Sequence, residues 1–463
     1  MKIKILHTND IHSNFENFSR IATKIQELAD DNTLIFDAGD FADFKDITLQ
    51  GTDGEAADEM LYEAGYDALA VGNNETFNGL DILKNMGSKS KVPLITCNIG
   101  EKGKGYIEGI KKSVLINKSG LNVLVTGISP NLGEFLELDG MEIKDYHEAI
   151  REEISRYKGQ YDICILISHY GMTADEDIAE TIPEIDVIIG GHFHILMDKP
   201  KVINGCVIHT SGQFGEHLGV LDLQVNLSND LGQRVMLVEG KNIKIQKCEK
   251  NHGIIRIYDE NKEIALDRLS VPLHEIEENL WHDNIEENPM SNFLADALYD
   301  FLDCDLGIIN SGVLNGGIRK GVVSKKKLIE ICPSPLNPTT FDIKGKYLRQ
   351  ALEESVYGDK CLKDGRGPGY RGRFLGRLHV SNMEIKYKER TISEISVGGL
   401  PLEDEKIYKV GTSDYLHRGS GYESLKNNSN VEYNEDYLRD TLEKYLDNKE
   451  LVRKALSHRW IEE

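Results

Sequence analysis

The sequence predicts an α/β protein of two domains, and three observations carry that reading. Over the first 225 or so residues, short apolar runs rich in β-branched side chains alternate with polar loops that carry His, Asp or Asn. Amphipathic stretches lie between some of these runs. The chain has 463 residues, enough for two domains at about 100–200 residues each, and a charged, less regular stretch lies near its middle.

The apolar runs at 3–6, 33–36, 68–71, 163–167 and 187–189 have the length and branching of buried strands. Phe18, Ile21, Ile25 and Leu28 share one helical face; Ala57, Met60, Leu61 and Ala64 share another, closed by Gly65. In such a pattern, ligand sites collect at the carboxyl ends of the strands. Residues 226–285 are strongly charged, with an acidic stretch after Pro272. The expected division is a first domain over 1–254, a linker over 255–284 and a second domain over 285–463. In the second domain, Met290, Phe293, Leu294, Ala297, Leu298 and Phe301 make a helix face, and strand-like runs follow at 306–309, 339–343 and 385–387.

Composition excludes some functions. Lys and Arg total 54 against 77 Asp and Glu, so the net charge is 54 − 77 = −23, the wrong sign for a binder of nucleic-acid polymers. A small phosphorylated substrate remains compatible, because metals and a few local cations can reverse the field inside one cleft. The amino terminus has no apolar leader-like core, and no run approaches the ~20 apolar residues of a membrane span. The seven cysteines are dispersed, as free buried thiols would be. The expectation is a cytoplasmic protein without a membrane partner.

Five polar loops follow apolar runs. The first is Thr8-Asn9-Asp10-Ile11-His12, where an extended backbone would point Asp10 and His12 the same way. The others are Asp37-Ala38-Gly39-Asp40, Gly72-Asn73-Asn74-Glu75, Ser168-His169 and Gly190-Gly191-His192-Phe193-His194. Such mixed N/O donors suit Mn, Fe, Zn or Co and, less well, Mg.

In these motifs the chain resembles the calcineurin-like metallophosphoesterases, specifically the 5′-nucleotidase and UDP-sugar hydrolase group. The resemblance extends to Ser211-Gly-Gln-Phe-Gly-Glu-His-Leu-Gly219, Asn310-Ser-Gly312 and Arg418-Gly-Ser-Gly-Tyr422. It implies a four-layer αββα sandwich of two sheets flanked by helices, followed by an α+β substrate-binding domain. It also implies two divalent ions. Asp10, His12 and His194 would hold one; Asn73, His169 and His192 would hold the other; Asp37 would bridge them. Asp40, His7 and His209 would stand behind these ligands and orient them.

The sequence departs from the family pattern in places. Asn74 and Phe77 stand where the family has a His and an Asp that stabilise the phosphoryl transition state, as in a cytosolic bacterial branch with the same Asn-Asn-Glu variant. Asn74 keeps one neutral donor as the candidate catalytic group. In the second domain, the family Asn-Gly-Gly-Gly-Ile-Arg motif aligns two ways. A gap-free match from Asn310 puts Asn315 at the family Arg, and a match to the letters Gly-Gly-Ile-Arg selects Arg319. Ser334 follows Pro333, where the family has an aromatic that stacks a base. The segment 365–377, with Arg366, Tyr370, Arg371, Arg373, Phe374 and Arg377, and the retained Tyr422 are the candidates to replace it.

The function this implies is metal-dependent hydrolysis of a phosphate ester, with a nucleotide as the substrate. The alternatives are a weakened nucleotide-binding or sensor protein, cleavage of phosphodiesters or nucleotide-sugar pyrophosphates, and thiosulfohydrolase chemistry.

Overall fold

The computed structural model describes residues 1–227, 234–367 and 369–463. It divides into two compact units, Met1–Leu266 and Asp267–Glu463.

The first unit holds two six-stranded sheets. One orders its strands Val235–Lys244, His217–Val225, Lys2–Thr8, Thr33–Asp37, Ala68–Ala70 and Leu94–Ile95. The other runs Lys201–Ile203, Cys206–His209, Val187–Gly190, Ile163–Ser168, Leu121–Ile128 and Ser113–Lys118. Alternation along the strands builds the layers, since successive side chains face opposite ways. Ile3, Ile5, Leu34 and Phe36 from one sheet pack with Val123, Val125, Ile163, Ile165 and Val187 from the other. The opposite faces carry helices. Leu6, Ile35 and Leu69 pack with Phe18, Ile21, Ala22 and Ile25 of the helix Phe15–Leu28. Leu124, Cys164, Leu166 and Ile188 pack with Ala149, Ile150, Ile178 and Ala179 from the helices Tyr146–Arg156 and Met172–Thr181. The result is the helix–sheet–sheet–helix sandwich. The helix Phe15–Leu28 starts where Asn14 accepts the Asn17 N–H at 3.2 Å, a cap of about 1 kcal/mol. Truncating its fully buried Phe18 to Ala would cost about 3–5 kcal/mol.

Topology places the site. Lys2–Thr8 and Thr33–Asp37 pair in parallel, as do Ile163–Ser168 and Val187–Gly190. Their carboxyl ends deliver the loops that carry Asp10, Asp40, His169 and His192.

The stretch after residue 225 is more regular than its composition suggests. Val235–Lys244 is an edge strand, His252–Leu269 is an 18-residue helix, and Pro272–Ile276 pairs with Gly321–Ser324. The edge strand leaves Met236 and Val238 exposed, and the helix buries a narrow stripe that includes Ile254 and Ala265. An element with so little buried surface shows weak apolar periodicity. The unit boundary after Leu266 falls inside that helix and inside the stretch expected as a linker.

The second unit is α+β. A five-stranded sheet runs Leu378–Ser381, Leu306–Asn310, Ile407–Ser413, Pro338–Lys344 and Asn428–Tyr433; a four-stranded sheet runs Leu400–Pro401, Thr391–Val397, Met383–Lys388 and Trp460–Glu462. The helix Pro289–Phe301 begins at Asn288, which accepts the Ser291 N–H at 3.0 Å, and buries Met290, Phe293, Leu294 and Leu298. All seven cysteines are free. Among the described residues, no helix is long and apolar enough to cross a membrane.

Candidate metal centre

The centre is built from tight loops rather than extended segments. Asp10, His12, Asp40, His192 and His194 all have positive φ, between 48° and 74°. Such strained conformations persist only where the surroundings over-determine them, and they cluster at functional sites. Here the loops brace one another: Asp10 N–H donates to Gly39 O at 2.9 Å and His12 N–H to Asp40 O at 2.8 Å. Asp10 and His12 therefore converge through left-handed turns, not through the i, i+2 alternation of a strand.

Two groups of donors result. Asp10, His12 and His194 lie together, and so do Asp10, Asp40 and His169, with donor atoms within 4.8 Å of one another in each. Asp10 belongs to both. His194 Nε2 is 3.3 Å from Asp10 Oδ1. His192 donates its backbone N–H to Asp10 Oδ2 at 3.0 Å, and its Nδ1 lies 3.0 Å from Asn73 Oδ1. Hydrogen bonding to the Asp10 carboxylate raises the pKa of His194, whereas burial lowers those of His12 and His192.

His169 tests whether a cation fits. Its Nδ1 lies 2.7 Å from the Ala38 carbonyl, so the hydrogen sits on Nδ1. Its Nε2 is buried and makes no hydrogen bond, although Asp40 Oδ1 is 3.2 Å away and Asp10 Oδ1 is 3.8 Å away. Burial disfavours the charged ring, but Asp40, Asp10 and Glu75 outweigh burial and hold its pKa up at about 10. Asp40 responds in the opposite sense: burial pushes its carboxyl up, and His169 and His12 pull it well below the usual range. The ion-pair partners of Asp10 and Asp40 are histidines. Two buried carboxylates facing imidazole nitrogens call for positive charge, and divalent cations fit that donor set.

The structure places Asp40, and not Asp37, among the candidate donors. Asp37 is absent from both donor groups. It is fully buried, accepts from Thr8 Oγ1 at 2.6 Å and from Gly39 N–H at 2.9 Å, and burial raises its pKa to about 7. As the last residue of its strand, it faces the neighbouring strand across the Thr8 pairing. Gly39, at φ 96°, then turns the chain so that Asp40 points into the centre. A Cβ at Gly39 would come within 2.6 Å of His169 Nδ1, so the turn also needs a residue without a side chain.

Asn74 sits beside Asp40. Its Nδ2 donates to Asp40 Oδ2 at 2.5 Å and lies 3.2 Å from His12 Nδ1, and its backbone N–H donates to Asp40 Oδ1 at 2.8 Å. Phe77 is half-buried at the end of the short helix Asn73–Thr76. His7 and His209 belong to neither donor group and form a buried pair, with Nε2 of the first 2.8 Å from Nδ1 of the second.

The substrate candidates of the second unit gather around the segment after residue 365. Asn310 donates to Leu375 O at 2.6 Å, Asn315 donates to Arg371 O at 3.4 Å, and Arg371 N–H donates to Ser334 Oγ at 2.9 Å. Arg373 is exposed and covers the Phe374 ring at 4.8 Å. The two tyrosines are buried. Tyr370 is buried, stacks on Tyr415 at 4.3 Å and donates to Phe374 O. Tyr422 is wholly buried and donates to Gly376 O at 2.7 Å. Arg377 lies buried over Trp460 at 4.2 Å, with its Nε and Nη2 making no hydrogen bond. Arg319 is exposed beside Ile318, which bridges to Leu280. Pro368, in the same segment, lies outside the described residues.

Comparison with known proteins agrees with this geometry. Residues 3–196 match the calcineurin-like phosphoesterase family, and residues 268–427 match the 5′-nucleotidase C-terminal domain. The chain is a calcineurin-like metallophosphoesterase. It is 28% identical to an uncharacterised metallophosphoesterase of Bacillus subtilis (strain 168), over 95% of this chain and 98% of that one. It is 26% identical to a snake venom 5′-nucleotidase of Naja atra, over 92% of each. Its fold is similar to that of a 5′-nucleotidase precursor from Thermus thermophilus, with TM-score 0.59 at 18% identity, covering 100% of this chain and 99% of the other. A putative 5′-nucleotidase from Staphylococcus aureus gives TM-score 0.64 at 15% identity, covering 100% of both.

Two residues of this phosphoesterase escaped the sequence reading. Glu75 is fully buried and its carboxylate accepts three backbone N–H groups, from Gly72 at 2.7 Å, Asp40 at 3.1 Å and Ala42 at 2.9 Å. Its place directly after Asn73 and Asn74 was the available signal. Phe214 places its ring 5.7 Å from His12 and 6.3 Å from His194. It lies in the Ser211–Gly219 motif, but nothing in its spacing marks the ring.

Proposed function

We propose that this metallophosphoesterase hydrolyses nucleotide phosphate monoesters, as a 5′-nucleotidase does, with two divalent cations. The observation that best supports this is Asp40, whose Oδ1 lies 3.2 Å from His169 Nε2 and whose Oδ2 lies 3.8 Å from His12 Nε2, facing donors of both sets. Asp10, His12 and His194 would hold one cation and Asn73, His169 and His192 the other, with Asp40 taking the bridging position expected of Asp37. Bound there, the cations would supply Lewis acidity to a phosphoryl group and to the attacking water.

The chain's own residues do the orienting. The Ala38 carbonyl holds the hydrogen on His169 Nδ1, so that Nε2 is the nitrogen that would give its lone pair to a cation in place of a proton. Asn73 and the Asp10 carboxylate fix His192. Asn74 holds Asp40 and is the neutral donor beside it for a phosphoryl oxygen. In the second unit, Arg371 and Arg373 are the candidates for an anionic group of the substrate.

The test combines metal analysis with a substrate panel. Protein loaded with Mn should carry about two metals per chain. It should release phosphate from nucleoside 5′-monophosphates faster than it cleaves phosphodiesters or nucleotide sugars. Metal content near zero, or no phosphate release from any monoester, would overturn the proposal.

A further inference from the structure

The first unit contains a cavity of about 610 Å³ of which His12 is one wall. The rest of its lining joins Phe15, Phe214, Ile254, Ile255 and Tyr258 to six polar or charged side chains, Glu16, Lys45 and Lys250 among them. Its volume is that of a small-molecule site. It is contiguous with the donor groups through His12 and through the Phe214 ring, which lies against both His12 and His194.

Phe214 is the unusual member. It has φ 55°, a left-handed conformation that bulky side chains rarely adopt. Both of its backbone groups are pinned there: its N–H donates to Asp10 O at 2.7 Å, and its carbonyl accepts from Asn17 Nδ2 at 2.9 Å. That costly geometry does not bury the ring, which is left 37% exposed. A strained backbone that presents an exposed aromatic beside the donor groups is positioned for a ligand rather than for the core. Two lysines, Lys45 and Lys250, also line the cavity. Lys250 pairs at 2.9 Å with the exposed Glu16, a surface pair that an anionic ligand can displace at little cost, whereas Lys45 pairs at 3.3 Å with the buried carboxylate of Asp43. Tyr370 and Tyr422 of the second unit, by contrast, offer no free ring.

We propose that this cavity receives the leaving group of the substrate, that the leaving group is aromatic, and that Phe214 is the residue selecting it. This rests on the reading of the neighbouring centre as a phosphoesterase site.

The test compares 1-naphthyl phosphate with glycerol 2-phosphate on Mn-loaded protein, and separately measures 1-naphthol binding to chelator-treated protein by fluorescence. Phe214→Asn removes the ring and installs a residue that tolerates positive φ, so the melting temperature should hold. The expected result is a KM for 1-naphthyl phosphate raised about tenfold more than that for glycerol 2-phosphate. 1-Naphthol should bind the chelator-treated protein and bind Phe214→Asn about tenfold more weakly. Ile255→Arg, which puts a long side chain into the cavity from another lining position, should act in the same direction. Equal effects on both esters, or failure of 1-naphthol to bind, would overturn the proposal. If neither ester is hydrolysed but 1-naphthol binds through Phe214, the cavity stands and the phosphoesterase reading falls.

Discussion

The Glu75 carboxylate accepts the backbone N–H of Asp40 at 3.1 Å, and with Gly72 and Ala42 it ties the Asp40 turn to the segment that carries Asn73 and Asn74. Glu75 thus touches none of the donor atoms yet sets where Asp40 stands. Glu75→Gln keeps the volume but turns one acceptor oxygen into an amide that faces an N–H donor. A buried donor left unpaired costs about 1–3 kcal/mol. The expected outcome is a lower melting temperature and a weaker Mn affinity in calorimetric titration, with KM for substrate little changed. Unaltered metal affinity would mean that the Asp40 turn holds itself.

Asp40 and Asp37 make a sharper pair. Asp40 faces His169 and His12, whereas Asp37 is used by Thr8 and Gly39. Asp40→Asn should abolish activity and remove at least one metal per chain. Asp37→Asn should retain both metals, because Asn still accepts one of the two hydrogen bonds. Elemental analysis of the two variants side by side checks this, and the reverse ranking would return the bridging role to Asp37.

For Asn74, the amide bonded to Asp40 is the expected neutral donor to the transition state. Asn74→Ala should lower kcat by about 10- to 100-fold, at or below the usual range for one such donor. KM should move little, because the bond strengthens mainly in the transition state. Asn74→His alone should not give a faster enzyme, since Phe77 supplies no carboxylate to orient the ring. An unchanged kcat in Asn74→Ala would reduce Asn74 to a brace for Asp40.

What the sequence made legible follows from what each feature depends on. Strand and helix faces such as Ile3 and Ile5, or Phe293 and Leu294, are set by local periodicity and were readable. So were the loops that bring His12, His169, His192 and His194 to the strand ends. Which of Asp37 and Asp40 lies among the donors was not readable, because it turns on one positive φ at Gly39 and on which strand Asp37 faces. The burial of Tyr370 and Tyr422 depends on packing between segments far apart in the chain. The helix His252–Leu269 was hidden because it buries too narrow a stripe to show a period.

The last prediction concerns the paired rings of His7 and His209. Both are fully buried, and Asn242 Nδ2 lies 3.4 Å from His209 Nε2. One ring donates to the other across the 2.8 Å contact between His7 Nε2 and His209 Nδ1, and both rings are neutral. Burial pushes His209 down to about 4, and burial together with His209 pushes His7 well below 6.5. In the unfolded chain both titrate near 6.5. Between those values the unfolded state binds more protons, so stability is full above pH 6.5 and falls as pH drops toward 4. For His209 alone the loss is at most about 3 kcal/mol. Urea denaturation of chelator-treated protein between pH 7.5 and about pH 4.5 should show that decline. His209→Gln, which keeps an amide for hydrogen bonding but cannot titrate, should be less stable at neutral pH and show a shallower decline. An identical pH slope in the two proteins would mean that the pair takes up its proton without unfolding.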